Sequence, residues 1–267
     1  MLVSGLQKAG IATNRPDEQT QMNSQRPGTR PPVSAPPLPP GSPRRILRAI
    51  ALAVLIVIGL PIAIWNTIYP TYSWGQKTTV TVMTPEGTRS GSAVVRVSWK
   101  DSPDILPDAP HLKYEVRGEA TVVDLGDGKY LFALIKGAER RGIAVFGDGR
   151  SYWLEQIKTV AASRGETREI PSAHRPLLVT FADIDDPASV TRVDPDDLTA
   201  HFGPGYALSS ITLAIIDEKV TQGRVEAVLG WWEAYENRQL DGDRYTKLSA
   251  PNRLANSLNR LDFQSGL

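Results

Sequence analysis

Six aspartates fall within fifteen positions of FADIDDPASVTRVDPDD (residues 181 to 197): Asp183, Asp185, Asp186, Asp194, Asp196 and Asp197. Carboxylates this dense can hold a divalent cation, divide acid and base roles between them, or cap helices. A calcium loop needs acids at alternate positions, then a glycine and a distant glutamate. Asp183-Ile184-Asp185-Asp186-Pro187 begins that pattern and then departs from it. Capping accounts for more of the residues. Asp194 suits an N-cap with Pro195 at the first helical position, and Asp196 and Asp197 suit the first turn, where the helix dipole favours negative charge. Gly203 suits a left-handed C-cap and Pro204 blocks continuation. Asp186-Pro187 repeats the device over residues 188 to 190, which leaves Asp183 and Asp185 without a structural task.

Other reactive arrangements are weaker. With no cysteine there is no disulfide framework, thiolate metal site or cysteine nucleophile. His111, His174 and His201 are scattered and form no His-Glu-x-x-His motif. In Gly87-Thr88-Arg89-Ser90-Gly91 the serine stands one place late for a nucleophile elbow. The Gly-Asp-Gly turns at 126 to 128 and 147 to 149 lack the length and lysine of a phosphate loop. No serine with a flanking Ser/Lys peptidase signature follows the apolar segment. The sequence therefore names no catalytic, cofactor-binding or metal residues. Trp231, Trp232 and Tyr235 are the candidate partner contact, because two adjacent tryptophans on a helix cannot both face one core; core packing is the competing reading.

The elements that must position these residues begin with AIALAVLIVIGLPIAIWNTI, residues 49 to 68. Twenty apolar residues at about 1.5 Å each reach roughly 30 Å, the hydrocarbon thickness of a bilayer. Pro61 predicts a kink, which membrane helices tolerate. Trp65, Tyr69, Tyr72 and Trp74 supply interfacial aromatics. A leader of 45 residues is too long for the n-region of a cleaved signal peptide, and a start at Met22 would shorten it without changing that reading. Arg30, Arg44, Arg45 and Arg48 precede the span, and only Lys77 and Arg89 follow it closely. The positive-inside rule then places the N-terminus in the cytoplasm. Pro-rich RPGTRPPVSAPPLPPGSPRR (26 to 45) excludes helix and sheet and reads as a disordered spacer, with P-x-x-P frames as a secondary possibility.

Beyond the span the pattern changes to period two. Strands are expected at 78 to 83, 92 to 99, 113 to 125, 130 to 136, 142 to 146, 176 to 183 and 207 to 216, and helices at 151 to 162 and 224 to 235, the latter interrupted by Gly230. These elements do not repeat as βαβ. The expected fold is α+β, a mainly antiparallel β outer domain (a possible sandwich), preceded by one transmembrane helix and a disordered tail. The segments are 1–45 (tail), 46–69 (span) and 76–267 (outer domain). Residues 77 to 267 carry 23 basic and 27 acidic side chains, a net −4 that disfavours nucleic acid.

PLLVTFADIDDPASVTRVDPDDLTAHFGPGYALSSITLAIID, the Leu-Ala-Asn-Ser-Leu near the C-terminus, and TVTVMTPEGTRSGSAVVRV resemble an uncharacterised proteobacterial family of single-pass membrane proteins with a β-rich outer domain. The resemblance implies a Gram-negative inner-membrane setting and carries over no catalytic residues. The expected function is a periplasmic binding or interaction module in an envelope assembly, with the lipid bilayer and a protein or second copy as partners, no cofactor and no nucleic acid. The alternative is a hydrolase in which distant carboxylates, such as Glu115, Glu119, Asp183 and Asp185, converge in a cleft.

Overall fold

The computed structural model describes residues 43–101 and 112–266. Its first element is a 26-residue helix, α1 (Pro43–Ile68), long and apolar enough to cross a membrane. At about 1.5 Å per residue it extends roughly 39 Å, and none of its residues is buried. The irregularity expected at Pro61 takes the form of a π turn, Leu55–Gly59, in which the Leu60 N–H reaches back to the Leu55 carbonyl. An extra residue in the turn before a proline relieves the clash between its ring and the carbonyl four residues earlier. Near the end of the helix the Trp65 and Tyr69 rings lie 4.8 Å apart. Residues 1–42 of the expected tail lie outside the described residues; Pro43 to Arg45 are helical, with proline at a first-turn position where its missing N–H costs nothing.

Among the described residues the rest of the chain is α+β and β-rich, with ten strands in two antiparallel sheets. The larger sheet is built on a long hairpin. β1 (Thr71–Thr84) pairs along its whole length with β2 (Gly87–Asp101), from Thr71 opposite Lys100 to Thr84 opposite Gly87. β3 (Leu112–Glu119) joins β2, β9 (Ala207–Ile216) joins β1, and the short β6 (Thr167–Glu169) and β10 (Gln264–Ser265) form the two edges. The smaller sheet runs β4 (Thr121–Gly126), β5 (Lys129–Ala133), β7 (Leu178–Phe181), β8 (Val190–Arg192).

Alternation decides how the layers stack. Leu131, Ala133 and Ile135 enter the core shared with Val80, Val82, Val97, Leu213 and Ile215 of the larger sheet. Phe132 and Leu134, between them in sequence, enter a second core with Phe181, Leu229, Trp232, Leu258 and Phe263. The small sheet is thus buried on both faces, which is why YLFALI reads as an unbroken apolar run. The sheets come close together at Gly91, where a Cβ would meet the Val122 carbonyl oxygen at 2.0 Å.

Two expectations are corrected. The expected strand 113 to 125 breaks at Ala120: β3 belongs to one sheet and β4 to the other. Gly118 permits the turn with φ of 143°, and the Ala120 N–H leaves the ladder to bond the Phe263 carbonyl. GIAVF (142 to 146), expected as a strand, is the second half of a helix, α2 (Ala138–Phe146). A five-residue apolar run cannot tell strand from buried helix by period alone. Here Gly137, at φ of 78°, turns the chain out of β5, and Gly142 lets the helix approach the sheet. A Cβ at Gly142 would lie 3.0 Å from Gln76 Oε1 and 3.2 Å from Trp74 Nε1. The buried Gln76 accepts from Trp74 Nε1 at 3.3 Å and donates to the Ala138 carbonyl at 3.0 Å. The next helix, α3 (Trp153–Ala162), lies within the expected span and buries Ile157 and Val160.

Gln76→Leu keeps the volume and strands a buried indole N–H, at a cost of about 1–3 kcal/mol. Urea unfolding followed by circular dichroism should show a lower midpoint with an unchanged slope; an unchanged midpoint would mean that the Gln76 contacts contribute nothing net.

Candidate functional site

The aspartate-rich stretch is structural turn chemistry. Asp183 Oδ1 accepts from the Asp185 N–H at 3.0 Å, so Asp183 does have a local task, and Asp186 Oδ1 accepts from Ala188 at 2.9 Å to cap the turn Pro187–Ser189. Asp194 is not the helix cap. Its Oδ1 accepts from Asp196 at 3.0 Å within a tight turn that bridges Asp194 and Asp197. The helix α4 (Thr199–Phe202) opens five residues later, and Asp197 accepts from the Thr199 hydroxyl and, at 3.4 Å, from the Ala200 N–H. The hydroxyl bond holds the Asp197 carboxyl below the usual aspartate value. An Asx turn competes with the first helical turn for the same backbone donors. Among the described residues no three His, Asp or Glu side chains are grouped to hold a metal ion.

Of the four distant carboxylates, none lines the cleft described below. Glu115 and Asp185 are exposed. Glu119 is buried at the end of β3, where it accepts from the Arg224 N–H at 3.0 Å and the Val225 N–H at 3.3 Å. It is the cap of the helix α5 (Arg224–Val228), supplied from 105 residues away.

Trp231, Trp232 and Tyr235 stand together but do not form an exposed patch. The helix ends at Val228, before Gly230, and the chain continues as the 3-10 turn Trp232–Tyr235, so the two indoles do not sit on one α-helix. Trp232 is 2% exposed and donates to Gln264 Oε1 at 2.9 Å. Trp231, half-buried, donates to the Ile184 carbonyl at 2.9 Å and packs edge-on against Phe181 and Tyr235. Both indole N–H groups are satisfied within the second core.

The arrangement with unspent chemistry lies elsewhere. A cleft of about 660 Å³ is lined by α2, the Gly147–Gly149 turn, the start of α3 and the Ser172–His174 turn. Lys136, Arg140, Arg141 and Arg175 line it together with His174, and Asp148 is the one carboxylate among the lining residues. Helical spacing sets Arg140 and Ala144 one turn apart, and Arg141 one turn beyond Gly137. The rim cations have partners: Lys136 meets Asp262 at 3.2 Å, Arg175 meets Asp196 at 3.3 Å, and Arg140 meets Glu139 at 3.9 Å. Such partly exposed pairs are worth about 0–1 kcal/mol and exchange readily.

Arg141 differs from them. It is 7% exposed, and among the described residues its side chain makes one hydrogen bond, from Nη2 to the Lys136 carbonyl at 2.9 Å. Its Nε is buried without an acceptor, as is that of Arg175. Burial lowers its pKa to about 10, opposed by the charge of Glu139, so the guanidinium stays protonated at neutral pH. Asp148 is spent on its own turn: it accepts from the Ser151 hydroxyl, the Ser151 N–H and the Arg150 N–H. These bonds, the hydroxyl first, hold its carboxyl down to about 2. Trp153, 37% exposed, lines the cleft while its ring meets the Trp99 ring in an edge arrangement at 5.7 Å.

The sequence assigns none of these residues to a site: His174 falls in no metal motif, Asp148 lies in a Gly-Asp-Gly turn, and Arg140 and Arg141 belong to no motif. The available signal was a charged pair inside a segment bracketed by Gly137 and Gly147, whose apolar residues then fit a helix packed on a sheet. Comparison with protein-family models, curated proteins and solved structures returned no match.

Glu119 generates a pH test. Burial raises its carboxyl above the ordinary glutamate value, against the Val225 and Arg224 amides and the Arg224 charge, which lower it. The folded chain therefore holds this proton to higher pH than the unfolded chain does, and the group loses stabilising effect as pH rises through the raised value. Glu119→Gln, which mimics the protonated form, should gain on the native chain in urea midpoint between about pH 4 and pH 7; parallel profiles would contradict this. Glu119→Ala leaves two amides without an acceptor and should cost about 1–3 kcal/mol at either pH.

Proposed function

We propose that this protein is a membrane-anchored binding module of the bacterial envelope: α1 spans the inner membrane, the N-terminus is cytoplasmic, and the β-rich domain stands in the periplasm. The observation that carries the binding reading is the Arg141 guanidinium, a buried charge with no bonded carboxylate in the wall of an open cleft. A protein that needed this arginine only for packing would satisfy it internally, because an unpaired buried charge is destabilising. The cleft offers cations and an indole to a ligand or to a partner's side chain, and lacks the paired, unspent acid and base of a hydrolase. Orientation rests on Arg44, Arg45 and Arg48 before the apolar segment. Membership of a proteobacterial family of such proteins, suggested by the segments quoted above, belongs to the same proposal.

Topology can be read directly, because the chain has no cysteine of its own. Single cysteines at Ser24 and Ser90 should differ in intact spheroplasts: only the second should react with a membrane-impermeant maleimide, and the reverse pattern would invert the reading. For binding, the full-length protein is cross-linked in its native membrane and purified beside Ala144→Trp, which fills the cleft from α2. A stoichiometric partner or ligand lost in the variant is the expected result. Capture unchanged by the variant would remove the cleft from the function.

A further inference from the structure

We infer that the cleft is an oxyanion site, which takes the phosphoryl or carboxylate group of a small ligand on Arg141 with Arg140 and Arg175 closing from the rim. This rests on the binding reading above and names its ligand class. A guanidinium presents donors in a planar fork that matches two oxygens of a carboxylate or phosphate, a fit that an ammonium cannot give. Arg141 is pre-set for such a partner. Gly142, its neighbour, fits against Trp74 and Gln76, and Nη2 is anchored on the Lys136 carbonyl, so the fork is fixed before any ligand arrives. Binding then needs little ordering of the side chain.

The surroundings favour the same class. Asp148, the carboxylate in the lining, is committed to Ser151 and Arg150 and does not reach out as a counter-ion. Arg175 carries a second buried Nε without an acceptor, although its Nη1 pairs with Asp196. Arg140 is exposed and its contact with Glu139 is long. Both can turn to an incoming anion at small loss. A volume of about 660 Å³ suits a small molecule, and Trp153 in the lining gives its apolar part an aromatic contact. The anionic group could belong to a soluble metabolite or to a lipid headgroup. The recognising chemistry is shared, and the two sources are separable.

The full-length protein is placed in nanodiscs of zwitterionic lipid and titrated calorimetrically with inorganic phosphate, pyrophosphate and citrate, then again in discs containing phosphatidylglycerol. Saturable binding of at least one probe in zwitterionic discs is expected. Its persistence in anionic discs identifies a soluble ligand, and its loss there identifies a headgroup that already fills the site; both support the oxyanion reading. Arg141→Lys keeps the charge and removes the fork, and should weaken binding about tenfold or more. Because a buried substitution can disturb folding, Arg140→Gln serves beside it and should weaken binding about three- to tenfold with an unchanged thermal transition. Arg192→Gln, outside the cleft, should leave binding unchanged. No saturable binding of any probe in either disc, or binding indifferent to both cleft variants, overturns the inference. A partner lost on Ala144→Trp would stand even then, so failure of the oxyanion class and failure of the binding reading are distinguishable.

Discussion

One buried amide fixes the relation between the helix that carries the cleft and the sheet beneath it. Gln76 points inward from β1, accepts from Trp74 Nε1, and donates to the first carbonyl of α2 at Ala138. Gly142, one helical turn later, sits against the same Gln76 and Trp74 with no side chain to hold it off. These two contacts set the height and the axial position of α2 at successive turns. Arg140, Arg141 and Ala144 then have their places in the cleft wall decided by a strand more than sixty residues earlier. A polar residue at this depth is tolerated because its carbonyl and amide both find partners; with either missing it would be a defect. The result is a rigid guanidinium on a regular element, which a loop could not hold as well.

The small sheet imposes the second constraint. Its β5 strand sends alternate residues into two cores, so neither face can meet water, and the chain after β9 has to cover the second one. It does so with short helices and turns held by side-chain caps. Asn252 accepts from Leu254 and Ala255 and donates to the Ala188 and Val190 carbonyls; Asn259 and Asp262 cap each other's backbone. Trp231 and Trp232 belong to this cover. Their indole N–H groups bond the Ile184 carbonyl and Gln264, so the pair closes a core as well as filling it. The Arg260 guanidinium lies over the Trp232 ring, 4.9 Å from its centroid.

Local signals were legible and long-range ones were not. The hairpin around Pro85-Glu86-Gly87 (strands expected at 78–83 and 92–99), β9, α3 and the apolar helix follow from periodicity and turn residues within a few positions of one another. The Asp186-Pro187 cap was legible for the same reason. Tyr72 and Trp74, expected at the membrane interface, instead belong to β1, with Trp74 buried in the core. Asp194 misled because an Asx turn and an N-cap ask for the same residues, and only the path of the chain from β8 decides between them. Glu119 was beyond sequence reasoning, since its task is to cap a helix 105 residues away. The site itself was the least visible part. In AERRGIAVFG the apolar run reads as a strand, and no motif marks Arg140 and Arg141. Only the close approach allowed by Gly142 turns the segment into a helix and buries Arg141.

Net charge and local charge point in opposite directions, and that opposition bears on what the cleft admits. Residues 77 to 267 carry a net −4, yet four permanent cations converge on one concavity with a single carboxylate in its lining. Beyond a Debye length, about 8 Å at physiological ionic strength, a ligand in solution feels little of either. Inside the cleft the low-dielectric walls strengthen the field of the nearby guanidinium groups. A small anion brings only the charge that the cleft can neutralise. On the oxyanion reading, selection of a single phosphoryl or carboxylate group depends on keeping the cations clustered on one helix and two turns instead of spread over the surface.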